Sequence, residues 1–188
     1  MLTIEIPAGE LWDPKYGNGE GKRPGRFVKV KSTTLNLEHS LVSISKWESK
    51  WHKPFLAKGT KTNEETLDYI KCMTLTQNVD PNVYKCLTAD NINDISDYIE
   101  DPYTATTINE HGNKPKKKEV FTSEVIYYMM IAYNIPVEFQ KWHLNRLITL
   151  IRVCEIKNSK PEKRGKEEII SDYARMNEAA RKKYNSKG

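Results

Sequence analysis

The residues of this chain that could do chemistry are its histidines and cysteines, which serve elsewhere as metal ligands and nucleophiles. A structural zinc site needs such residues in closely spaced pairs, because several ligands must converge on one ion. The sequence has no such pair and therefore predicts no metal site. Its cysteines are odd in number and widely spaced, which favours buried, reduced thiols over disulfides. The residues concerned are His39, His52, His111, His143, Cys72, Cys86 and Cys154.

The densest polar cluster surrounds His143, with Trp142, Asn145 and Arg146 beside it. A nuclease would use His143 together with Asn145, but side chains two positions apart on a helix point to different sides. We favour a structural interpretation, in which Trp142 packs while His143 and Arg146 form hydrogen bonds at the edge of the core. The sequence also has neither a glycine-rich phosphate loop nor a Gly-x-Ser-x-Gly motif. It predicts no catalytic residue and no cofactor, and indicates a protein that binds another macromolecule.

Two tryptophans, Trp47 and Trp51, are four positions apart and share one face of a predicted helix. Core packing is the favoured interpretation and an exposed anchor for a partner is the alternative, because large aromatic residues are mostly buried yet dominate binding hot spots. The very apolar helix predicted over 124–134 is a second source of partner contacts. The candidate partner-binding residues are Trp47, Trp51, Tyr127, Tyr128, Met130, Trp142, Arg146, Lys182 and Lys183.

A mainly α fold must position these residues. Alternating patterns at 2–6 and 26–31 predict two strands, which could pair as a short N-terminal β-hairpin across a loop at 13–25. From Asn36 onward apolar residues recur every three or four positions, which predicts helices in a bundle-like domain over 1–158. The predicted helices run from Asn36 to a stop at Pro54, over 66–77 with Asn63 as N-cap, from Thr88 or Asp90 through Ile99, over 124–134 with Thr122 or Ser123 as cap, and from Pro136 to about Ile156.

Charge is concentrated toward the C-terminal end. The net charge of +5 equals the excess of ten Lys/Arg over five Asp/Glu in 157–188. We therefore expect 159–188 to be a basic tail, with a conditional helix from about 166 to 183 that orders on a partner. The stretch 88–101 is acidic, and 101–118 is predicted to be an exposed connector with four lysines. No apolar run reaches the roughly 18 residues that a membrane span takes.

Several stretches together resemble proteins of long, flexible-tailed bacteriophages, some of which are described as tail assembly chaperones. The resemblance covers most of the chain to about residue 158. It implies a helical protein that binds the tape measure protein, and possibly the tail tube protein, in the cytoplasm of the infected bacterial host and is absent from the mature virion. Homo-oligomerisation is left open. The stretches are Thr-Ile-Glu-Ile-Pro-Ala-Gly-Glu at 3–10, the run from Leu37 to Trp51, Glu-Thr-Leu-Asp-Tyr-Ile-Lys-Cys-Met at 65–73, and the run from Phe139 to Arg152.

Two other classes of function remain open from the sequence. A small nucleic-acid-binding phage protein would use Lys116 to Lys118 and the basic tail to contact phosphates. A minor structural component of the virion would need no further chemistry. Five acidic residues interrupt the positive charge of the tail, which makes a solvated tail at least as well supported as a phosphate-binding one.

Overall fold

The computed structural model describes residues 1–13, 25–108, 121–159 and 166–184. The described part of the chain contains six α-helices and four short strands, so the protein is mainly α. The chain divides into two compact units, Met1–Cys154 and Glu155–Gly188. Most of the loop predicted over 13–25 and the four lysines of the predicted connector lie outside the described residues.

The N-terminal strands form a nested arrangement. Strand β1 (Leu2–Ile6) pairs antiparallel with β4 (Thr33–Leu37), and β2 (Gly9–Asp13) pairs antiparallel with β3 (Arg26–Val30). Both pairs keep the same register, so they follow one hairpin path interrupted at residues 7–8 and 31–32. The hairpin predicted between 2–6 and 26–31 is therefore wrong in its pairing, because the true partner of β1 lies one strand further along the chain.

The last two residues of strand β4, Asn36 and Leu37, lie where the sequence predicts the start of a helix. Leu35 and Leu37 are fully buried and Thr34 is exposed, which is the two-residue alternation of a half-buried strand. Leu37 also lies four positions before Leu41, so the same residue satisfies a helical spacing and a strand spacing. Only pairing with β1 distinguishes the two, and that pairing is a long-range contact.

The six helices begin at polar caps in most cases. Thr122 and Thr88 accept the hydrogen bonds expected of N-caps, as predicted. The predicted cap Asn63 is wrong by one position, because Thr62 and Glu65 form a reciprocal capping box instead. The helices are α1 Leu41–Trp51, α2 Asn63–Met73, α3 Ala89–Glu100, α4 Ser123–Ala132, α5 Leu144–Asn158 and α6 Lys166–Tyr184, with 3-10 helices at Val83–Cys86 and Val137–Lys141.

The long helix predicted from Pro136 is interrupted at its start. The 3-10 helix ends at Lys141, and His143 then forms an isolated antiparallel bridge with Ser40. The amide of Leu144 donates to the carbonyl of His39 at 2.8 Å, and α5 begins there. Pairing with a distant segment therefore overrides the helical periodicity of residues 137–143.

The core of the first unit lies where β1 and β4 pack against the helices. Its most buried members come from the two strands, from α1 and α2, and from α4 and α5. Trp47 is the largest of them. Among the described residues, no helix combines the length and the apolar character that crossing a membrane requires. The fully buried large side chains are Ile6, Leu35, Leu37, His39, Leu41, Ile44, Trp47, Ile70, Met73, Ile126, Leu144 and Leu147.

The second unit contains α6, which lies where the sequence predicts a conditional helix. It is a helix of 19 residues. Four large apolar side chains on it are exposed, namely those of Ile170, Tyr173, Met176 and Tyr184.

Candidate partner-binding surface

Helix α4 is fixed at its N-terminus by a buried carboxylate from α1. One oxygen of Glu48 accepts from the amide of Ser123 at 2.7 Å, and the other accepts from the amide of Phe55 at 2.7 Å. Thr122 caps the same turn by accepting from the amide of Val125. These bonds satisfy donors that a helix N-terminus leaves without intrahelical partners. They hold the start of α4 against the end of α1.

Apart from Ser123 and Glu124 at its start, α4 is apolar on both sides, and the two sides differ in exposure. Ile126 and Met130 point inward and are buried, whereas Tyr128 is 70% exposed and Ile131 is 76% exposed. With Glu124, these two exposed residues form what we call the α4 outer face. A helix that is apolar on all sides is normally buried all round. The exposed pair Tyr128 and Ile131 makes this face of α4 a candidate contact surface.

A side-chain hydrogen bond connects α4 to the 3-10 helix at Val137–Lys141. The hydroxyl of Tyr127 donates to the side-chain oxygen of Gln140 at 2.9 Å, and partial burial raises the pKa of that hydroxyl. Both α4 and the 3-10 helix pack against α1. Tyr127 thus connects α4 to the 3-10 helix, whereas Tyr128 beside it faces outward.

Trp142 lies in a three-part stack at the surface. Its ring is parallel to that of Phe139, with centroids 3.9 Å apart, and the guanidinium carbon of Arg146 is 4.1 Å from its ring centroid. Asn145 donates from its amide nitrogen to the carbonyls of Ile99 and Asp101. Asn145 therefore satisfies the C-terminal end of α3 and does not act beside His143.

The two tryptophans of α1 differ in their access to a partner. Trp47 is 1% exposed, and its indole nitrogen donates to the carbonyl of Glu65 at 2.9 Å. Trp51 is half-buried, and its indole nitrogen donates to Asp68, which also bonds Lys50. The structure thus places Trp47 in the core, as it does Met130, and neither presents surface to a partner in this conformation.

The predicted lysine contacts, Lys182 and Lys183, lie on α6 in the second unit. Lys182 forms an ion pair of 2.9 Å with Glu178, one helical turn before it. The Lys183 ammonium is 5.6 Å from the ring centroid of Tyr184. Both lysines are exposed, and an exposed pair of this kind contributes little to stability.

A buried pair of histidines joins four elements, and the sequence did not reveal it. His39 and His143 are 2% and 3% exposed, with ring centroids 5.1 Å apart. His39 Nδ1 lies 2.5 Å from the hydroxyl of Tyr69, and His143 Nε2 donates to the carbonyl of Tyr98 at 2.9 Å. The two residues are far apart in sequence, so no spacing rule could have paired them.

Burial keeps both imidazoles neutral. Desolvation, reinforced by the neighbouring His143, lowers the pKa of His39 to about 3, and burial also lowers the pKa of His143. His143 Nδ1 has no hydrogen-bond partner among the described residues. The ring of Tyr103 stacks on His143 at 4.7 Å, which leaves the pair enclosed by aromatic groups. Both rings serve in hydrogen bonds between elements.

Within the described ranges, no group of three or more histidine, cysteine, aspartate or glutamate side chains is arranged to hold a metal ion. Comparison with protein-family models, with curated proteins and with solved structures finds no match for this chain. The α4 outer face is the candidate functional surface of the first unit, because it exposes two large apolar side chains.

Proposed function

We propose that this protein is a non-enzymatic tail assembly chaperone of a long-tailed bacteriophage, which binds the tape measure protein while the tail is built. The exposure of Tyr128 and Ile131 on a helix held rigidly by Glu48 carries this proposal. The sequence resemblance of 3–10, 37–51, 65–73 and 139–152 to phage proteins supports it independently.

The proposed mechanism is binding without turnover. An amphipathic helix of the client lays its apolar side on the α4 outer face, in the way that helices dock on apolar surfaces elsewhere. Covering one Tyr and one Ile side chain contributes roughly 1.5–3 kcal/mol each before the costs of association. A contact of that size is reversible, and a chaperone that must leave its client needs a reversible contact.

We also propose where the chaperone acts and what its body and its tail each contribute. The chaperone acts in the cytoplasm of the infected host and leaves before the virion is complete. The first unit behaves as a bundle-like body that presents the α4 outer face. The basic tail, 159–188, contacts the tail tube protein or steers the encounter with the client by charge.

Co-expression with a tape measure protein tests the proposal. Wild-type chain should raise the soluble fraction of the client, and Tyr128→Asp/Ile131→Asp should not, because charge on the α4 outer face opposes apolar docking. Leu75→Asp is a matched control, since Leu75 is an exposed apolar residue outside α4. A client that stays equally insoluble with and without the wild-type chain contradicts the proposal.

Two further readouts separate the other classes of function. A mobility shift with DNA or RNA that fades steeply as salt rises would favour a nucleic-acid-binding protein acting through its lysines and arginines. Recovery of the chain in the mass spectrum of purified virions would favour a structural component. The chaperone proposal expects neither result.

A further inference from the structure

Helix α6 carries an apolar stripe along one side. Ile170, Tyr173, Met176 and Tyr184 are each more than 60% exposed. With about 100° of rotation per residue, these four positions and Ala180 fall within one arc of the helix surface. Most of the stability of helices in proteins comes from packing of such an apolar face rather than from intrinsic helix propensity. We therefore expect the stripe to pack against a surface that is itself apolar and elongated.

The charges on α6 are unevenly distributed along its length. Its first half, 166–174, has one cation, Lys166, against three carboxylates, Glu167, Glu168 and Asp172. Its second half, 175–184, has four cations against the single carboxylate of Glu178. The four cations are Arg175, Arg181, Lys182 and Lys183. The helix is thus negative at its start and positive at its end.

We propose that α6 pairs antiparallel with the α6 of a second copy of this chain. An antiparallel pair places the acidic half of each helix beside the basic half of the other, whereas a parallel pair places like charges together. A two-fold axis near the middle of the helix generates both contacts between an acidic half and a basic half. Each copy then uses the same surface of α6, as an isologous dimer requires. The apolar stripes then cover each other.

The flanks of the stripe show which charges would meet. By the same 100° rotation, Arg181 falls on one flank of the stripe, and Arg175 falls on the opposite side of the helix. In the antiparallel pair, Arg181 of each helix lies beside the half of its neighbour whose sequence is rich in carboxylates. Arg175 faces away from the interface and is separated from it by about a helix diameter, close to the screening length at physiological salt.

The dimer would link two first units, each with its own α4 outer face. A long client with repeated helical segments could then engage both faces at once, which raises its apparent affinity without new contacts. Dimerisation itself needs no client. Its failure and the failure of the chaperone proposal are therefore distinguishable.

Sedimentation of the full chain over a concentration range up to ~1 mM tests the pairing, since a short interface of this kind is weak. Wild type should shift from monomer to dimer as concentration rises. Tyr173→Asp should weaken the dimer at least tenfold, and Ser171→Asp, on the exposed side opposite the stripe, should leave it unchanged. Thermal unfolding of each variant verifies that the first unit is intact.

Charge substitutions test the direction of pairing. Arg181→Glu should weaken the dimer several-fold, adding Glu167→Lys in the same chain should restore it, and Arg175→Glu should have little effect. A dimer strengthened by Arg181→Glu would mean parallel pairing and would overturn the inference. So would a chain that stays monomeric throughout, or a dimer that survives Tyr173→Asp.

Discussion

Glu48 is the single residue on which the placement of α4 most depends. Replacing it with Gln leaves one buried amide, of Ser123 or Phe55, facing a nitrogen instead of an oxygen. A buried donor without an acceptor costs about 1–3 kcal/mol. Glu48→Gln should therefore lower the free energy of unfolding by about 2 kcal/mol in urea titrations. Glu64→Gln, at an exposed position, is the control and should change it little.

The histidine pair should make stability depend on pH. An imidazole with its pKa lowered in the folded state binds a proton more weakly than in the unfolded chain. The stability is therefore fully present above pH 6.5, the ordinary pKa, and is lost as the pH falls toward the folded pKa. His39 should contribute a slope of about 1.4 kcal/mol per pH unit between pH 6 and 5, and His143 should add to that slope in the same direction.

Urea titrations at a series of pH values check this slope. In His39→Gln, which keeps a polar group near Tyr69, the slope over that interval should become shallower because only His143 remains. A wild-type stability that is flat from pH 7 to 5 would mean that the two rings can take up protons without unfolding. The window lies above the range in which ordinary carboxylates titrate.

At the scale of elements, substitutions at the start of α2 distinguish two candidate N-cap residues, Thr62 and Asn63. Thr62 accepts from the amide of Glu65, whose carboxylate accepts from the amide of Thr62. Thr62→Ala should therefore cost about 1 kcal/mol of unfolding free energy. Asn63→Ala, one position later and inside the first turn, should be close to neutral. Equal costs for both substitutions would contradict the observed capping box.

The helices could be predicted from sequence better than the strands could. Thr88 and Thr122 were identifiable as caps because a cap and its helix are neighbours in sequence. The interruption before Leu144 and the pairing of β1 with β4 depend on contacts between distant segments, for which a single sequence has no local signal. The sequence also carries a T-x-x-E signal at Thr62, which the prediction of Asn63 as the cap overlooked.

The candidate surface was predictable only in part. An apolar helix over 124–134 could be recognised, but its spacing does not show that Tyr128 faces outward while Met130 faces the core. For Trp47, a four-residue spacing fits a core residue and an exposed anchor equally well. Exposure is a property of the whole fold, so it appears only when the neighbouring elements are in place.

At the scale of the whole molecule, the positive charge near the C-terminal end should affect the rate of association with the client. The net charge of +5 arises within 157–188, while the rest of the chain is balanced. If this segment steers the client, the association rate should fall as salt rises, since steering is screened over about 8–10 Å at moderate ionic strength. A chain ending at residue 158 should associate more slowly at low salt and show little salt dependence. Stopped-flow mixing measures both rates, and identical salt slopes for the two chains would remove the steering role.

The bridge between Ser40 and His143 has a consequence for how the protein folds during translation. It joins residues more than a hundred positions apart, and the carbonyl of His39 is bonded only when Leu144 arrives. During translation, β1, β4 and α1 leave the ribosome long before α5 does. The carbonyl of His39 therefore lacks this hydrogen bond while the rest of the chain is made. A nascent chain stalled before residue 144 should be digested by protease at α1, whereas one released after residue 158 should resist.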